Sequence, residues 1–293
     1  MGLLKDIVAT MRPKQWIKNL LVFAALLFAG KAGQWPVAWE AIEAFVAFCI
    51  LSSAVYLLND SLDAEADRQH PTKCNRPIAA GRIPVYEGIL LAVTFALMGL
   101  VISYLVAFNF FITAVIYLGL TTAYTLVLKR IVIIDVLAVS LGYVLRAVAG
   151  AEAIDVEISP WLVICTLLLT LFIALAKRRG ELMMLEENAT NYRKILEEYS
   201  PGLLDQMIAV VTASTVVTYC LYTVDDRTLQ VVGTGNLVYT VPIVLYGIFR
   251  YLYLMHQHKL GGQPDQLLLS DVPLLSAVGI YTIVVGIILY AAR

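Results

Sequence analysis

The sequence predicts an all-α integral membrane protein with about nine transmembrane helices and a cytoplasmic N-terminus. Its 293 residues are 60% hydrophobic and only 15% charged, with a mean hydropathy of +0.80, whereas soluble globular domains carry roughly 25% charged residues. The apolar residues form runs long enough to cross about 30 Å of hydrocarbon. Lysine and arginine concentrate in every second connection between these runs. We therefore expect a single transmembrane domain over residues 1–293.

Nine apolar runs are the predicted spans. The first run resembles the core of a signal peptide, because Arg12, Lys14 and Lys18 precede a short apolar stretch that ends in small residues. The eight runs that follow, together with Trp16 at the predicted interface, favour a retained first helix. The predicted spans are 16–33, 38–58, 84–107, 109–128, 131–153, 159–176, 206–224, 236–254 and 272–291.

The distribution of basic residues predicts the orientation. The N-terminal segment and the connections after the second, fourth, sixth and eighth spans hold 17 of the 21 lysines and arginines. Because basic residues collect on the cytoplasmic side of membrane proteins, these segments are expected to face the cytoplasm, at a bacterial-type plasma (inner) membrane. The polar chemistry is then expected at the cytoplasmic face, and no nucleic-acid partner is expected.

A cluster of carboxylates follows the second predicted span, in the stretch NDSLDAEAD at residues 59–67. If this stretch is helical, Asn59, Asp60, Asp63 and Asp67 lie within an arc of about 100°, while Glu65 points away. Carboxylates this close repel one another unless cations neutralise them, and Mg²⁺ completes its coordination with water and substrate phosphates. The alternative is a solvated helix end at the lipid headgroups, which accounts for the charge but not for the spacing.

The loop after this stretch supplies cations. Pro71 and Pro77 are expected to end the helix and stiffen the loop. Lys73 and Arg76 lie between these prolines, and both suit phosphate oxygens. A metal site beside an arginine and an apolar wall suggests that the protein handles a diphosphate leaving group at a membrane surface.

The stretch NDSLDAEAD fits the NDxxDxxxD motif of the UbiA superfamily of intramembrane prenyltransferases. The chain resembles that family also in its predicted spans and orientation, so that the resemblance covers nearly its whole length. It implies nine transmembrane helices around a central cavity that opens to the cytoplasm and sideways to lipid.

One departure from the family pattern narrows the resemblance. Members that prenylate aromatic acceptors carry a second aspartate-rich motif after the sixth span. Here that position reads KRRGE, with Lys177, Arg178, Arg179 and Glu181 in place of DxxxD. In this feature the chain resembles the decaprenyl-phosphate phosphoribosyltransferase subfamily, as it does in the stretches MRPKQWIKN, NRPIAAG, KRIVIIDVLAVSLGYVLRAVAG and GGQPDQLLLSD.

The subfamily resemblance implies a donor, an acceptor and a cofactor. The donor is 5-phosphoribosyl 1-diphosphate, whose diphosphate would bind Mg²⁺ at the aspartates while cations hold its 5-phosphate. The acceptor is a polyprenyl (decaprenyl-type) phosphate, whose chain lies in the bilayer and whose head Lys177 and Arg178 would attract. No general base is required, because a phosphate monoester is already ionised at neutral pH.

Further charged and polar residues have two interpretations each. Lys129 and Arg130, which follow Tyr124, either anchor the topology or bind phosphate, and the resemblance favours phosphate. Lys18 is a positive-inside residue by default, and a substrate ligand by its match to the family's WxKN element. Arg146 lies deep in an apolar helix, where a charge is a functional candidate. Asp135 occupies the same face eleven residues earlier, so that Arg146 could equally belong to a structural polar network with it.

The expected site divides into two groups of residues. The expected catalytic residues are Asp60, Asp63 and Asp67, and these three with Asn59 are the expected metal ligands. The expected substrate-binding residues are Lys18, Asn59, Lys73, Arg76, Tyr124, Lys129, Arg130, Arg146, Lys177 and Arg178.

Two other functions compete with this one. An aromatic-acceptor prenyltransferase of the same superfamily would carry the second aspartate-rich motif, which is missing here. A secondary transporter would show broken helices and polar groups near the bilayer midplane, whereas the charges here lie mainly at the predicted cytoplasmic ends. Self-association into a homo-oligomer is a further expectation from the resemblance.

Overall fold

Helices make up most of the protein. The computed structural model describes residues 2–70, 72–187, 196, 198–257 and 270–291, and no β-strand occurs within these ranges. The α-helices are α1 (Gly2–Met11), α2 (Ala24–Phe28), α3 (Trp35–Leu62), α4 (Ala64–Arg68), α5 (Val85–Val106), α6 (Phe108–Leu126), α7 (Ile134–Ala153), α8 (Pro160–Glu187), α9 (Pro201–Val224), α10 (Asp226–Val232), α11 (Val241–Gln257) and α12 (Val272–Ala291). Four 3₁₀-helices occupy Pro13–Phe23, Lys73–Asn75, Leu128–Arg130 and Asn236–Thr240.

Among the described residues, eight helical segments are long and apolar enough to cross a membrane. They are α3, α5, α6, α7, α8, α9, α11 with the 3₁₀-turn before it, and α12. The prediction of an all-α, multi-pass protein is confirmed, because each of these segments overlaps a predicted span. The helical form follows from the solvent, since hydrocarbon offers no partners to backbone N–H and C=O groups.

The structure differs from the prediction at the first span, residues 16–33. This stretch is a 3₁₀-helix over Pro13–Phe23 followed by the short helix α2. A 3₁₀-helix rises about 2.0 Å per residue and an α-helix about 1.5 Å, so the two pieces together reach about 30 Å, the thickness of the hydrocarbon layer. The first apolar run is thus long enough to cross a membrane without being a regular α-helix.

Several helix ends have a visible chemical cause. The side chain of Ser200 accepts a hydrogen bond from the Leu203 N–H at 3.2 Å and caps α9. Asp225 caps α10 in the same way, and Gly233, with φ of 79°, ends it. Asp271 caps α12 through the Leu274 N–H at 2.8 Å and also binds Arg250 of α11.

The described helices belong to two compact units. The first comprises residues 1–27, 31–128 and 142–158, and α3 is its central helix. Glycines let α5 approach α3 closely: a Cβ at Gly99 would lie 2.6 Å from Leu51 Cδ2, and one at Gly88 would lie 2.5 Å from Ser61 Oγ. A Cβ at Gly150 of α7 would lie 1.9 Å from the Val22 carbonyl oxygen, so α7 packs directly on the backbone of the 3₁₀-segment.

The second unit comprises residues 28–30, 129–141 and 159–293. Its main core lies among α7, α8, α9 and α11, with Phe172, Leu175, Leu204, Ile208 and Tyr251 buried together. A smaller core joins α10 and α12. Near it, the hydroxyl of Tyr219 binds Thr240 at 2.6 Å and Tyr281 at 3.2 Å, so these buried polar groups satisfy one another.

Candidate active site

The aspartate-rich stretch lies where α3 gives way to α4. Helix α3 ends at Leu62, one residue breaks the helix at Asp63, and α4 begins at Ala64. The backbone hydrogen bonds continue across the break, since the Asp63 N–H reaches the Asn59 carbonyl at 2.9 Å and the Asp67 N–H reaches the Asp63 carbonyl at 2.8 Å. The predicted helical face is therefore kept with a one-residue kink.

The acidic residues on the predicted helical face are buried or half-buried, and the one that points away from it is exposed. Asp60 and Asp67 are buried, and Asn59 and Asp63 are half-buried. Glu65 points away, with 87% of its side chain exposed, and it binds Arg68 of the same turn at 3.3 Å. The prediction that Glu65 lies outside the cluster is confirmed.

Arg76 joins the two buried carboxylates. Its Nη1 lies 3.1 Å from Asp60 Oδ1 and 2.5 Å from Asp67 Oδ2. Both oxygens thus bind one nitrogen atom, which places two carboxylates close enough to share a single cation. Arg76 was expected to contact phosphate, and here its single positive charge offsets part of the charge of the two carboxylates.

Arg12 is a second arginine at this cluster, and the sequence analysis did not find it. Its Nη2 binds Asp60 Oδ1, and its guanidinium carbon lies 4.9 Å from the centre of the Tyr56 ring. Arg12 has a left-handed backbone, with φ of 54°, at the junction between α1 and the 3₁₀-segment. The signals in the sequence were its position directly before Pro13 and its place in the stretch MRPKQWIKN.

The donor set at this cluster suits a hard divalent cation. Asp60 and Asp67 present carboxylate oxygens that converge on one point, and carboxylate oxygens are the ligands that Mg²⁺ prefers. Within the described ranges, however, no three or more acidic, histidine or cysteine side chains are grouped closely enough to hold a metal ion. The fit therefore rests on the converging pair, with water and substrate left to complete the coordination.

The loop after α4 is held close to this cluster. The Nε of Arg68 donates to the Ala79 carbonyl at 3.2 Å, and Arg82 binds Asp6 of α1 at 2.9 Å. His70 accepts from the Thr72 N–H at 3.2 Å, and partial burial together with the Lys73 charge lowers the pKa of His70. Lys73 is half-buried in its short 3₁₀-helix. Pro71, which was expected to stiffen this loop, lies outside the described residues.

Arg146 is the centre of a buried polar network in the first unit. Its Nε donates to Asn19 Oδ1 at 2.8 Å, its Nη1 to the Gly142 carbonyl at 2.7 Å and its Nη2 to the Tyr117 hydroxyl at 2.9 Å. The guanidinium also lies over the rings of Tyr117 and Tyr143. Arg146 is 7% exposed and Asn19 fully buried.

Arg146 was interpreted either as a functional residue or as part of a structural polar network. Its hydrogen bonds to Asn19 and Tyr117 favour the structural network, because they join α7 and α6 to the irregular first span. Asp135, which was expected to share the network, instead binds Arg178 at 2.7 Å and Tyr199 at 2.8 Å. Lys18 and Tyr124, both half-buried in the first unit, were expected to contact substrate.

In the second unit, Arg178 has a different environment from the one expected. It is 5% exposed, its Nε donates to Asp135 Oδ2 at 2.7 Å, and its Nη1 donates to Glu181 Oε2 at 2.5 Å. An arginine held by two carboxylates has much of its charge neutralised, which leaves it less suited to attract a lipid phosphate. No pattern in the sequence indicates this pairing, because Asp135 is 43 residues away along the chain.

The other expected cations of this unit lie nearer its surface. Lys177 is exposed, Arg130 is exposed and Lys129 is half-buried. Arg179, the neighbour of Arg178, binds Asp205 of α9. Lys177, Lys129 and Arg130 are thus the accessible basic residues among those that the sequence analysis proposed for this unit.

Comparison with known proteins shows the family. Residues 20–269 match the model of the UbiA prenyltransferase family. The decaprenyl-phosphate phosphoribosyltransferase of Mycolicibacterium smegmatis is 34% identical over 285 residues, which cover 92% of this chain and 88% of that protein. The protein of the same name from Corynebacterium glutamicum is 37% identical over 276 residues, 92% of this chain and 82% of that protein.

A solved structure shows the same fold. The structure of a UbiA homologue from Archaeoglobus fulgidus bound to GPP and Mg²⁺ superimposes with a TM-score of 0.72 at 16% identity, and it covers 98% of this chain and 99% of that one. At this level of identity the likeness concerns the fold alone. From the family match and the close relatives together, we conclude that the chain belongs to the UbiA prenyltransferase family.

Proposed function

We propose that the protein transfers 5-phosphoribose from 5-phosphoribosyl 1-diphosphate to a polyprenyl phosphate and releases pyrophosphate. The observation that carries the proposal is the convergence of Asp60 and Asp67 on one nitrogen of Arg76 at the end of an apolar helix. This arrangement offers both the anionic ligands that a metal needs and the cation that a diphosphate needs. The names of the relatives at 34% and 37% identity support the same substrates.

The aspartates are the proposed ligands of Mg²⁺. Asp60 and Asp67 would hold the ion, with Asn59 and Asp63 as neighbouring oxygen donors on the same kinked face. When bound, the ion would neutralise charge on the diphosphate and make pyrophosphate a better leaving group.

Arginines of the same cluster are the proposed ligands of the diphosphate oxygens. The guanidinium of Arg76 lies within hydrogen-bonding distance of both carboxylates, so that it would lie beside a diphosphate whose metal ion these carboxylates hold. Arg12 binds the same Asp60 oxygen as Arg76 and can act in the same way. Planar arginine donors suit phosphate oxygens, and they hold the two reactants at a fixed distance.

The acceptor needs attraction and alignment rather than activation. Its phosphate is ionised at neutral pH, so it attacks the ribose carbon without losing a proton to the protein. The hydrogen bond from the Thr72 N–H engages His70 Nδ1 as an acceptor, which is compatible with a reaction that uses no histidine base. We propose that Lys129, Arg130 and Lys177 attract anionic substrate groups.

An aromatic-acceptor prenyltransferase is the alternative within the family. That activity would use a second carboxylate cluster as a metal clamp. In the second unit the carboxylates of Asp135 and Glu181 bind Arg178, and that of Asp205 binds Arg179. These three carboxylates come from three different helices, α7, α8 and α9, and the stretch KRRGE stands where a second DxxxD motif would lie, which favours the phosphoribosyl donor.

The experiment is an assay with purified protein in lipid, polyprenyl phosphate, Mg²⁺ and radiolabelled 5-phosphoribosyl 1-diphosphate. We expect an acid-labile phosphoribosylated lipid, release of pyrophosphate, and loss of both when EDTA is added. If a prenyl diphosphate with 4-hydroxybenzoate gave product while the ribosyl donor gave none, the aromatic alternative would replace this proposal. The cytoplasmic position of the site and self-association of the protein belong to the proposal as well.

A further inference from the structure

An isoleucine occupies a backbone conformation that isoleucine rarely adopts. Ile133 has φ of 69°, in the turn between the 3₁₀-helix Leu128–Arg130 and α7. A β-branched residue in the left-handed region is strained, and glycine or asparagine would be the ordinary choice in such a turn. Strained residues of this kind persist only where the surrounding structure holds them.

The group that holds this turn is the hydroxyl of Tyr199. The Ile133 N–H donates to the Tyr199 oxygen at 2.7 Å, across 66 residues of sequence. The same hydroxyl donates to Asp135 Oδ1 at 2.8 Å, and Asp135 Oδ2 accepts from Arg178 Nε at 2.7 Å. All four groups belong to the second unit.

Each hydrogen bond among these four groups has one possible direction. Arg178 can only donate and an ionised Asp135 can only accept, so the Tyr199 proton must point to Asp135. The lone pairs of the hydroxyl are then left to accept the Ile133 N–H. Burial raises the pKa of Tyr199, which keeps that proton in place. Asp135 is fully buried, and Tyr199 is 4% and Arg178 5% exposed, so water does not compete for these groups.

The strained turn directly follows two basic residues. Lys129 and Arg130 form the end of the 3₁₀-helix, and the Asp135 N–H returns to the Ile131 carbonyl at 3.0 Å to start α7. The conformation at Ile133 therefore sets the direction in which the backbone enters and leaves this turn. A different φ at Ile133 would redirect the segment that carries both cations.

We propose that Tyr199 is a positioning residue, which holds the Ile133 turn in its left-handed form and so directs Lys129 and Arg130 toward a phosphate group of a substrate. The identification of that group rests on the proposed function. The phosphate is either the 5-phosphate of the ribosyl donor or the head of the lipid acceptor, which share the same chemistry. Arg178 and Asp135 act through Tyr199, by fixing the direction of its hydroxyl.

The first test does not depend on activity. Ile133→Gly removes the strain, because glycine adopts a positive φ without cost, and the side chain is 43% exposed. Its melting temperature should equal or exceed that of the wild type. The matched control is Ile134→Gly, in which the residue is 41% exposed but begins α7, so its melting temperature should fall. An equal fall in both variants would overturn the claim of strain.

The second test removes the hydroxyl. In Tyr199→Phe, hydrogen exchange of the segment 128–134 should be faster than in the wild type. The double variant Tyr199→Phe with Ile133→Gly should regain much of the protection, because glycine keeps the turn without help. The control is Tyr219→Phe, which loses another buried hydroxyl of this unit, bonded to Thr240, and should leave exchange at 128–134 unchanged. Unchanged exchange in Tyr199→Phe would overturn the proposal.

The third test separates positioning from stability through kinetics. Tyr199→Phe should raise the KM for one phosphate-bearing substrate by roughly three- to tenfold, the effect of losing about one hydrogen bond, while kcat stays close to the wild-type value. The double variant should recover most of that KM, and Tyr219→Phe should not change it. The substrate whose KM rises is the one that the turn binds. A change in kcat alone would contradict the positioning role.

If the wild type transfers no phosphoribose while the exchange results hold, the proposed function fails and the role of Tyr199 in the turn stands.

Discussion

Arg178 and Asp135 form a buried ion pair, with Nε 2.7 Å from Oδ2 and side chains that are only 6% and 0% exposed. The same arginine binds Glu181, and the same aspartate binds Tyr199. Removal of one partner of a buried pair leaves the other charge without compensation, which is far more costly than loss of a surface ion pair. This relationship changes what substitutions in the KRRGE stretch can reveal.

Substitution of Arg178 should act on stability first. We expect Arg178→Ala to lower the free energy of unfolding by about 3–5 kcal/mol, because Asp135 is then buried without its cation. Thermal melting in detergent measures the loss. Lys177→Ala, next to it on an exposed position, should melt like the wild type and raise the KM for a phosphate-bearing substrate. A normal melting temperature for Arg178→Ala would contradict the importance of the buried pair.

Substitutions in the aspartate-rich stretch should affect turnover on the proposed metal face but not on the exposed face. Asp67→Asn and Asp63→Asn should nearly abolish turnover while the protein stays folded, because each removes a charged oxygen from the proposed metal face. Glu65→Gln, with 87% of its side chain exposed, should keep most of the activity. Turnover at saturating Mg²⁺ is the measurement. Similar losses in all three variants would show that the kinked helical face does not define the site.

Arg76 binds the carboxylate oxygens that are the proposed metal ligands, so it would compete with a metal ion for them. We therefore expect Arg76→Met to bind Mn²⁺ more tightly than the wild type when no substrate is present, as measured by paramagnetic resonance titration. Its turnover should nevertheless fall, roughly a hundredfold for the loss of one charged donor to the leaving group. Arg82→Met, whose arginine binds Asp6 and the Asn75 carbonyl instead, should change neither quantity. Equal Mn²⁺ affinity in Arg76→Met and the wild type would argue against a shared position.

Arg146 should prove sensitive to shape as well as charge. Arg146→Met removes the donor to Asn19 Oδ1 and to the Tyr117 hydroxyl, and each buried polar atom left without a partner costs about 1–3 kcal/mol. Arg146→Lys should recover little, because an ammonium group cannot match three acceptors arranged around a planar guanidinium. The measurement is the melting temperature. If Arg146→Lys had the melting temperature of the wild type, the positive charge at this position would stabilise the protein, and the hydrogen-bond network would not.

The orientation can be checked by cysteine labelling in a background that lacks Cys74. A cysteine at the exposed Thr72 should react only from the cytoplasmic face, and one at Gly33 only from outside. Thr228 is buried, so the exposed Gln230 is the better outer position on α10. Ala189, in a connection expected to be cytoplasmic, lies outside the described residues. Reversed labelling would remove the argument for a cytoplasmic site.

The sequence by itself determined the class of the protein and much of its site. Hydropathy and the spacing of aspartates are local properties, and both can be counted along the chain without knowing what lies beside them. Eight apolar runs became long helices, the stretch from Asn59 to Asp67 kept its face, and the motif pointed to the family that the comparisons showed. The single-domain organisation, the orientation and self-association stay predictions.

Only the tertiary structure decided which charges are engaged and how the first span is built. Arg12 meets Asp60 across 48 residues, Arg178 meets Asp135 across 43, and Arg146 meets Asn19 across 127. Sequence spacing contains no information on such pairs, because a charge is neutralised by whatever the fold brings within about 4 Å of it. The same holds for backbone strain: nothing in the run IVIID marks Ile133 as left-handed, since the hydroxyl that holds it belongs to a tyrosine 66 residues away.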